Sequence, residues 1–205
     1  MSLKKLFLSL LFCLPLLLSA IDETVFSTPL SEGVDALRKA GWSIPAHGYE
    51  TVDGALQITA TGGVRNCATY DLPVEQNMSY GGSVMVRALG VTLTKGGRGA
   101  TLFFGFLDEN KKWINGGEFP LGPIGTTEWK KVSIGMTRLI PTHAKYIQIW
   151  LALEGQGTAQ FKNLDVRKLD LNSRWSVNAD ANPPTFTYEP MENSTGTATQ
   201  TILRI

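Results

Sequence analysis

The chain has 205 residues, with 19 Lys and Arg against 18 Asp and Glu and a formal net charge of +1 at neutral pH. That balance, without a dense basic run, excludes a nucleic-acid binder, which needs clustered cations to displace counterions from the phosphates. Anionic polysaccharide stays admissible, because a few local cations suffice for it.

The first residues read as an export signal. Lys4 and Lys5 form a positive start, Leu6 to Leu18 an apolar stretch, and Ser19-Ala20 the small residues before a cut after Ala20. The apolar run is shorter than the roughly 20 residues needed to cross a bilayer, so no span is expected in the mature chain. Bulky Leu11-Phe12 before Cys13 argue against lipidation. Removing residues 1–20 takes two lysines and no acid, which leaves 17 basic residues against 18 acidic ones. The expected location is secreted, periplasmic or at the cell surface. Of the two cysteines, Cys13 leaves with the signal and Cys67 remains alone. An internal disulfide is then impossible, and a buried core must hold the fold. Cys67 reads as a small buried apolar residue, since only His47 and His143 are available to activate it.

Residues 21–40 read as an N-terminal extension carrying one short helix, Glu32 to Ala40, with Ser31 as N-cap and Gly41 as stop. From there to residue 170, frequent Gly and Pro divide short runs rich in β-branched and aromatic residues, which predicts antiparallel β. The predicted strands are Ala55 to Thr61, Ser83 to Leu89, Ala100 to Leu107, Lys130 to Gly135, Lys145 to Leu153 and Thr158 to Leu169. Alternation assigns their faces. Ile147, Ile149, Leu151 and Leu153 point inward, so Tyr146, Gln148, Trp150 and Ala152 point outward. Leu102, Phe104 and Phe106 are inward and Phe103 outward; Val84, Val86 and Ala88 are inward, Met85 and Arg87 outward. If these strands share one sheet, its outer face is a platform of Met85, Arg87, Phe103, Gln148 and Trp150.

Such a platform has the chemistry of a sugar binder, in which an aromatic ring stacks on the flat C–H face and Arg, Gln, Asn or Asp meet the hydroxyl rim. The candidate binding residues are Trp150, Gln148, Phe103, Arg87 and, in the polar hairpin Asp108 to Trp113, Trp113. The competing reading packs Trp150 and Phe103 under a loop or against the helix. Trp42 and Trp129 are assigned to the core.

No catalytic residue is expected. Asp108, Glu109 and Glu118 are the nearby acids, without the paired arrangement glycoside hydrolysis requires. His47 and His143 lack ligand spacing, so no metal site is expected. Lys95-Gly96-Gly97-Arg98-Gly99 reads as a hairpin loop and not a phosphate cradle, because no helix pattern follows it. Asn77-Met78-Ser79 and Asn193-Ser194-Thr195 satisfy the N-glycosylation rule. Residues 171–205 turn to Asn, Pro, Thr and Ser and read as a linker or the truncated start of a second module, with Trp175-Ser176-Val177 echoing Trp42-Ser43-Ile44.

The order of motifs carries a resemblance. Gly41-Trp42-Ser43, Asp53 to Ile58, Tyr80 to Ala88, Thr127-Glu128-Trp129-Lys130-Lys131-Val132, Pro141 to Leu153 and Glu154 to Phe161 together resemble cenC-like carbohydrate-binding modules over residues 41–169. The resemblance implies an all-β jelly-roll sandwich of two antiparallel sheets over residues 41–170. It also implies noncovalent polysaccharide or oligosaccharide binding that holds an attached or partner glycoside hydrolase or lyase near its substrate. No cofactor is implied. The structural calcium common in the family loses its adjacent acids here, because Lys162-Asn163 follow Phe161, and only Asp22, Glu23 and backbone carbonyls could rebuild the site. The rival class is a structural or adhesive sandwich that binds protein or nothing.

Overall fold

A computed structural model describes residues 22–62, 65–76, 78–135, 140–169, 175–178 and 185–188. The export signal, the cut after Ala20, Asn77 and Asn193 lie outside the described residues. The strands are β1 (Asp22–Thr28), β2 (Tyr49–Val52), β3 (Ala55–Ala60), β4 (Asn66–Pro73), β5 (Ser79–Thr92), β6 (Gly99–Leu107), β7 (Trp113–Glu118), β8 (Lys130–Ile134), β9 (Tyr146–Glu154), β10 (Gln156–Leu169), β11 (Trp175–Asn178) and β12 (Thr185–Tyr188). The described helix is α1 (Val34–Lys39).

Two antiparallel sheets form the body. The larger runs β2-β3-β10-β5-β8 with β1 also on β10, and the smaller runs β4-β9-β6-β7. All six strands read from the sequence are present as β3, β5, β6, β8, β9 and β10, each within two residues of its expected ends except β5, which starts four residues earlier and ends three later. β10 organises the larger sheet. Its first half, Gly157 to Phe161, pairs with β3, and its second half, Leu164 to Leu169, pairs with β1. β5 runs along most of its other edge. The two halves meet at Asn163, whose φ of 54° lies in the left-handed region that Asn tolerates better than most residues. The register of β5 on β10 shifts between Lys162 and Asp165, so Asn163 and Leu164 stand opposite the single Val84, a bulge that bends the strand. Asn163 N–H donates to Pro29 O at 3.2 Å, which ties the bend to the chain following β1.

Between the sheets lies the core. Leu56, Ile58, Val84, Val86, Ala88, Ala159, Phe161 and Val166 on one side face Leu102, Phe104, Phe106, Ile147, Ile149, Leu151 and Leu153 on the other, all buried. The inward and outward assignments made from alternation in β5, β6 and β9 hold at these positions.

The N-terminal part differs from the expectation. Residues 22–28 were placed in an extension, yet they form β1 inside the larger sheet. Alternation in β1 is broken by a register shift between Thr24 and Phe26, which hides its strand pattern. At the helix start the cap position is Gly33, with no side-chain capping bond, so Ser31 does not cap it. The stop at Gly41 is as expected. Gly41 N–H bonds Arg38 O at 3.1 Å and Trp42 N–H bonds Leu37 O at 3.0 Å, a Schellman closure that needs the positive φ of 100° at Gly41. That turn swings Trp42 inward, 4% exposed, against Tyr70 at 5.5 Å, while Tyr70 stacks on Phe26 at 4.5 Å and 17°. The three rings join β1 of one sheet to β4 of the other and close one end of the sandwich. Trp129 was assigned to the core, but it is half-buried, with Lys162 Nζ 4.1 Å from its ring centroid.

No helix among the described residues is long and apolar enough to cross a membrane. Phe161 is fully buried at the centre of β10, between β3 and β5. Phe161→Ala is expected to lower unfolding stability by about 3–5 kcal/mol, from lost transfer energy and the cavity left behind. Equilibrium urea unfolding checks this, and a loss below about 1 kcal/mol would show that β10 is not the centre of the core.

Candidate functional site

Residues paired directly across antiparallel strands share a face. In the smaller sheet Thr69, Trp150 and Phe103 stand in one row, and Asp71, Gln148 and Gly105 in the next. Pro73, Tyr146 and Leu107 make a third. All point away from the core, because Ile147, Ile149 and Leu151 between them point into it.

Gly105 leaves a gap in this face, and Trp113 from the neighbouring β7 fills it. A Cβ at residue 105 would collide with Trp113 Cη2, so the indole rests on the bare glycine backbone. Trp113 remains 41% exposed and meets Trp150 edge-on, with centroids 5.7 Å apart at 69°. Beside the rings runs a polar chain. Trp150 Nε1 donates to Gln148 Oε1 at 2.8 Å, Gln148 Nε2 donates to Asp71 Oδ1 at 2.9 Å, and Lys111 Nζ donates to Asp71 Oδ2 at 2.7 Å. Lys111 Nζ also lies 4.0 Å from the Tyr146 centroid. Each partner fixes the next, so Trp150 and Gln148 are held in place before any ligand arrives.

The opposite end of the face is covered. Arg65 lies over both Trp150 and Phe103, its guanidinium carbon 4.9 Å and 5.5 Å from their ring centroids. Its Nε donates to Glu154 Oε1 at 2.6 Å, while Glu154 Oε2 accepts the Arg98 backbone N–H at 3.0 Å. Glu154 is thus a buried carboxylate, its side chain 4% exposed, with both oxygens satisfied. Arg98 Nη1 donates to Phe119 O at 2.7 Å, and Thr101 Oγ1 donates to Pro120 O at 3.0 Å. These bonds lay the chain after β7 across Thr101 and Phe103.

The five sequence candidates therefore part company. Trp150, Gln148 and Trp113 come together on one open patch. Phe103 is on the same face but fully buried, beneath Arg65 and edge-on to Phe119 at 5.3 Å. The loop covering it makes Phe103 a support for Trp150 and Arg65 instead of a contact surface. Arg87 does not join them, because β5 belongs to the other sheet. It continues a polar row in register from Glu50 through Gln57 and Gln160, where Gln57 Nε2 donates to Glu50 Oε1 at 2.6 Å and Gln160 Nε2 to Gln57 Oε1 at 2.9 Å. Met85 shares that sheet.

Sequence reasoning missed Arg65, Asp71, Lys111 and Phe119. Asp71 had a signal, since Ala68, Tyr70 and Leu72 alternate around it. Arg65 and Phe119 sit outside strands and had none.

The remaining polar groups do structural work. Asp108 Oδ1 accepts the N–H groups of Asn110 and Lys112 and closes the turn before Trp113. Glu23 pairs with Lys168 at 3.2 Å. Among the described residues no three His, Cys, Asp or Glu converge as metal ligands. Cys67 stands on β4 opposite Ala152; burial pushes its thiol pKa up, Arg65 draws it down and Glu154 pushes it up. Burial also lifts the Tyr49 hydroxyl to about 12, and it donates to Cys67 O at 3.0 Å. A second, shallow groove of about 430 Å³ lies between α1 and β2, lined by Glu32, Asp35, Arg38, Tyr49 and Glu50. It has no aromatic pair.

No protein-family profile matches the sequence, and no curated protein does. Among solved structures, the chain is similar to the N-terminal endo-1,4-β-D-xylanase 10B of Clostridium thermocellum, in a structure of its CBM22-1 and GH10 modules complexed with xylohexaose. The TM-score is 0.51 and the identity 16%, over 71% of this chain and 28% of that one. The CBM22-1 xylan-binding domain of Paenibacillus barcinonensis Xyn10C gives 0.46 and 17%, over 72% and 96%. The enzymatically active domain of bacteriophage CBA120 tailspike protein 4 gives 0.44 and 14%, over 56% and 15%. This chain therefore spans less than a third of the xylanase chain and less than a sixth of the tailspike chain. The protein is an all-β sandwich of two antiparallel sheets, of the jelly-roll kind found in carbohydrate-binding modules.

Gly105→Ala is expected to expel the Trp113 ring from the face while leaving the pairing of β6 and β9 intact. Tryptophan emission should shift to longer wavelength, and the shift should vanish in a Trp113→Phe background. An unchanged emission maximum would show that Trp113 does not rest on Gly105.

Proposed function

We propose that the open patch of the smaller sheet binds a polysaccharide noncovalently. The observation that carries this reading is the edge-on pair Trp113 and Trp150, drawn from two strands, with Trp150 locked by Gln148 and Asp71. A pyranose ring stacks on an indole through its C–H face and meets amide and carboxylate groups at its rim, and both elements stand here within one patch. Rings held beforehand lose little freedom on binding, which favours affinity. The same patch lacks a pair of carboxylates flanking an open cleft, so the reading is binding without bond cleavage.

The residue order resembles cenC-like modules, and a sandwich of two antiparallel sheets is the fold that this resemblance implies. On this reading the chain is exported by its first 20 residues and holds an attached or partner glycoside hydrolase or lyase near its polymer. The burial of Phe103 favours a second reading for the covered half of the face, namely that its aromatics serve packing alone.

Affinity electrophoresis in gels containing soluble polysaccharides separates the two. Wild type is expected to be retarded by at least one polymer. Trp150→Ala and Trp113→Ala should each weaken retention about tenfold, roughly 1.4 kcal/mol, with Trp113→Ala lowering the melting temperature less than Phe161→Ala because that ring is 41% exposed. If every polymer leaves wild type unretarded, the packing reading holds.

A further inference from the structure

Arg65 occupies the position beside Trp150 from which a bound sugar's rim would be read, and its bonding is unusual for a side chain that only packs. Three observations define it. First, the guanidinium is immobilised over two aromatic rings, at 4.9 Å from Trp150 and 5.5 Å from Phe103. Second, only Nε is committed, to Glu154 Oε1 at 2.6 Å; among the described residues the two Nη groups have no partner, and the side chain is 40% exposed. Third, both oxygens of the carboxylate beneath it have a partner, since Glu154 Oε2 accepts the Arg98 N–H at 3.0 Å.

The ion pair thus uses one edge of the fork to hold Arg65 down and leaves the outer edge free. A planar guanidinium whose two Nη groups have no partner presents two parallel N–H donors, the geometry that suits a carboxylate oxygen pair. The other carboxylate of the patch, Asp71, is engaged by both Gln148 and Lys111 and offers an incoming anion little repulsion. A neutral sugar hydroxyl could use one such donor, but it would leave the positive charge unanswered.

We propose that Arg65 reads the carboxylate of a hexuronate residue, and that the polymer this face takes is a uronate-bearing polysaccharide. This rests on the reading of the patch as a polysaccharide site. Arg65 lies over one face of Trp150, so a uronate ring rests on the Trp113 side of the Trp113–Trp150 pair and turns its C6 carboxylate toward the Nη groups of Arg65. The tryptophan pair supplies contact common to any pyranose, and Arg65 supplies the discrimination.

The test uses polygalacturonate and alginate in affinity gels without divalent cations, each beside its carboxyl-reduced, neutral counterpart. Wild type is expected to bind the carboxylated form at least about tenfold more tightly, with the advantage shrinking as salt is raised. Arg65→Gln should abolish the preference while keeping affinity for the neutral polymer. That variant strands the buried Glu154 charge and could unfold, so Arg65→Lys is the second variant. It keeps a cation beside Glu154 but loses the fork, and it should lose most of the preference at an unchanged melting temperature. Equal binding of carboxylated and reduced polymers by wild type, or a preference surviving in folded Arg65→Lys, overturns the assignment to Arg65 and leaves the polysaccharide site standing. Failure of wild type to bind any of the four polymers, together with loss of binding to all neutral glycans, overturns both.

Discussion

The period-two pleat of β9 is the constraint on which the site depends. Ile147, Ile149, Leu151 and Leu153 are wholly buried against the larger sheet, and together they represent several kcal/mol of apolar burial. A slip of one residue would expose all four and bury Gln148 and Trp150, so the register cannot drift. Once that face is fixed, Trp150 must point outward. The fold therefore holds the aromatic ring in place using energy that has nothing to do with a ligand. The same holds for β6, where Leu102, Phe104 and Phe106 leave Phe103 and Gly105 no other side to occupy.

What alternation could reveal ends at the edge of each strand. It placed the faces of β5, β6 and β9 correctly, because each buried set repeats every second residue. It could not say which strands are neighbours, since sheet membership depends on contacts distant in sequence. Arg87 and Trp150 each point away from the core, but on opposite outer faces, because β5 pairs with β10 and β9 pairs with β6. Similarly, alternation marked Phe103 as outward without showing that Arg65, 38 positions earlier in the chain, and Phe119, 16 positions later, close over it. β1 escaped notice through the register shift near Phe26, and β4 through the polar residues that share its strand with Ala68, Tyr70 and Leu72.

Lys162-Asn163 shows how one local departure from a family pattern acquires a structural reason. The resemblance placed acids there. In the structure Asn163 takes the left-handed backbone at the bend of β10, and Lys162 extends over Trp129. The bend lets two short strands, β3 and β1, share one edge of β10, and so lets the larger sheet reach six strands without a longer chain.

The Arg65–Glu154 pair poses the sharper energetic question. Taking a carboxylate to 4% exposure costs several kcal/mol, and an ion pair recovers this only when its remaining lone pairs are bonded as well. Here the Arg98 N–H completes the bonding of Glu154, yet Arg65 itself stays 40% exposed, so solvent screens the attraction. As a source of stability the arrangement is poor, since an apolar pair at the same place would avoid the desolvation. What it does achieve is direction. Glu154 fixes the tilt of the guanidinium, the rings of Trp150 and Phe103 fix its height, and its two Nη groups keep no partner among the described residues. A cation held that firmly at modest energetic return makes more sense as a recognition element than as a rivet between loop and sheet.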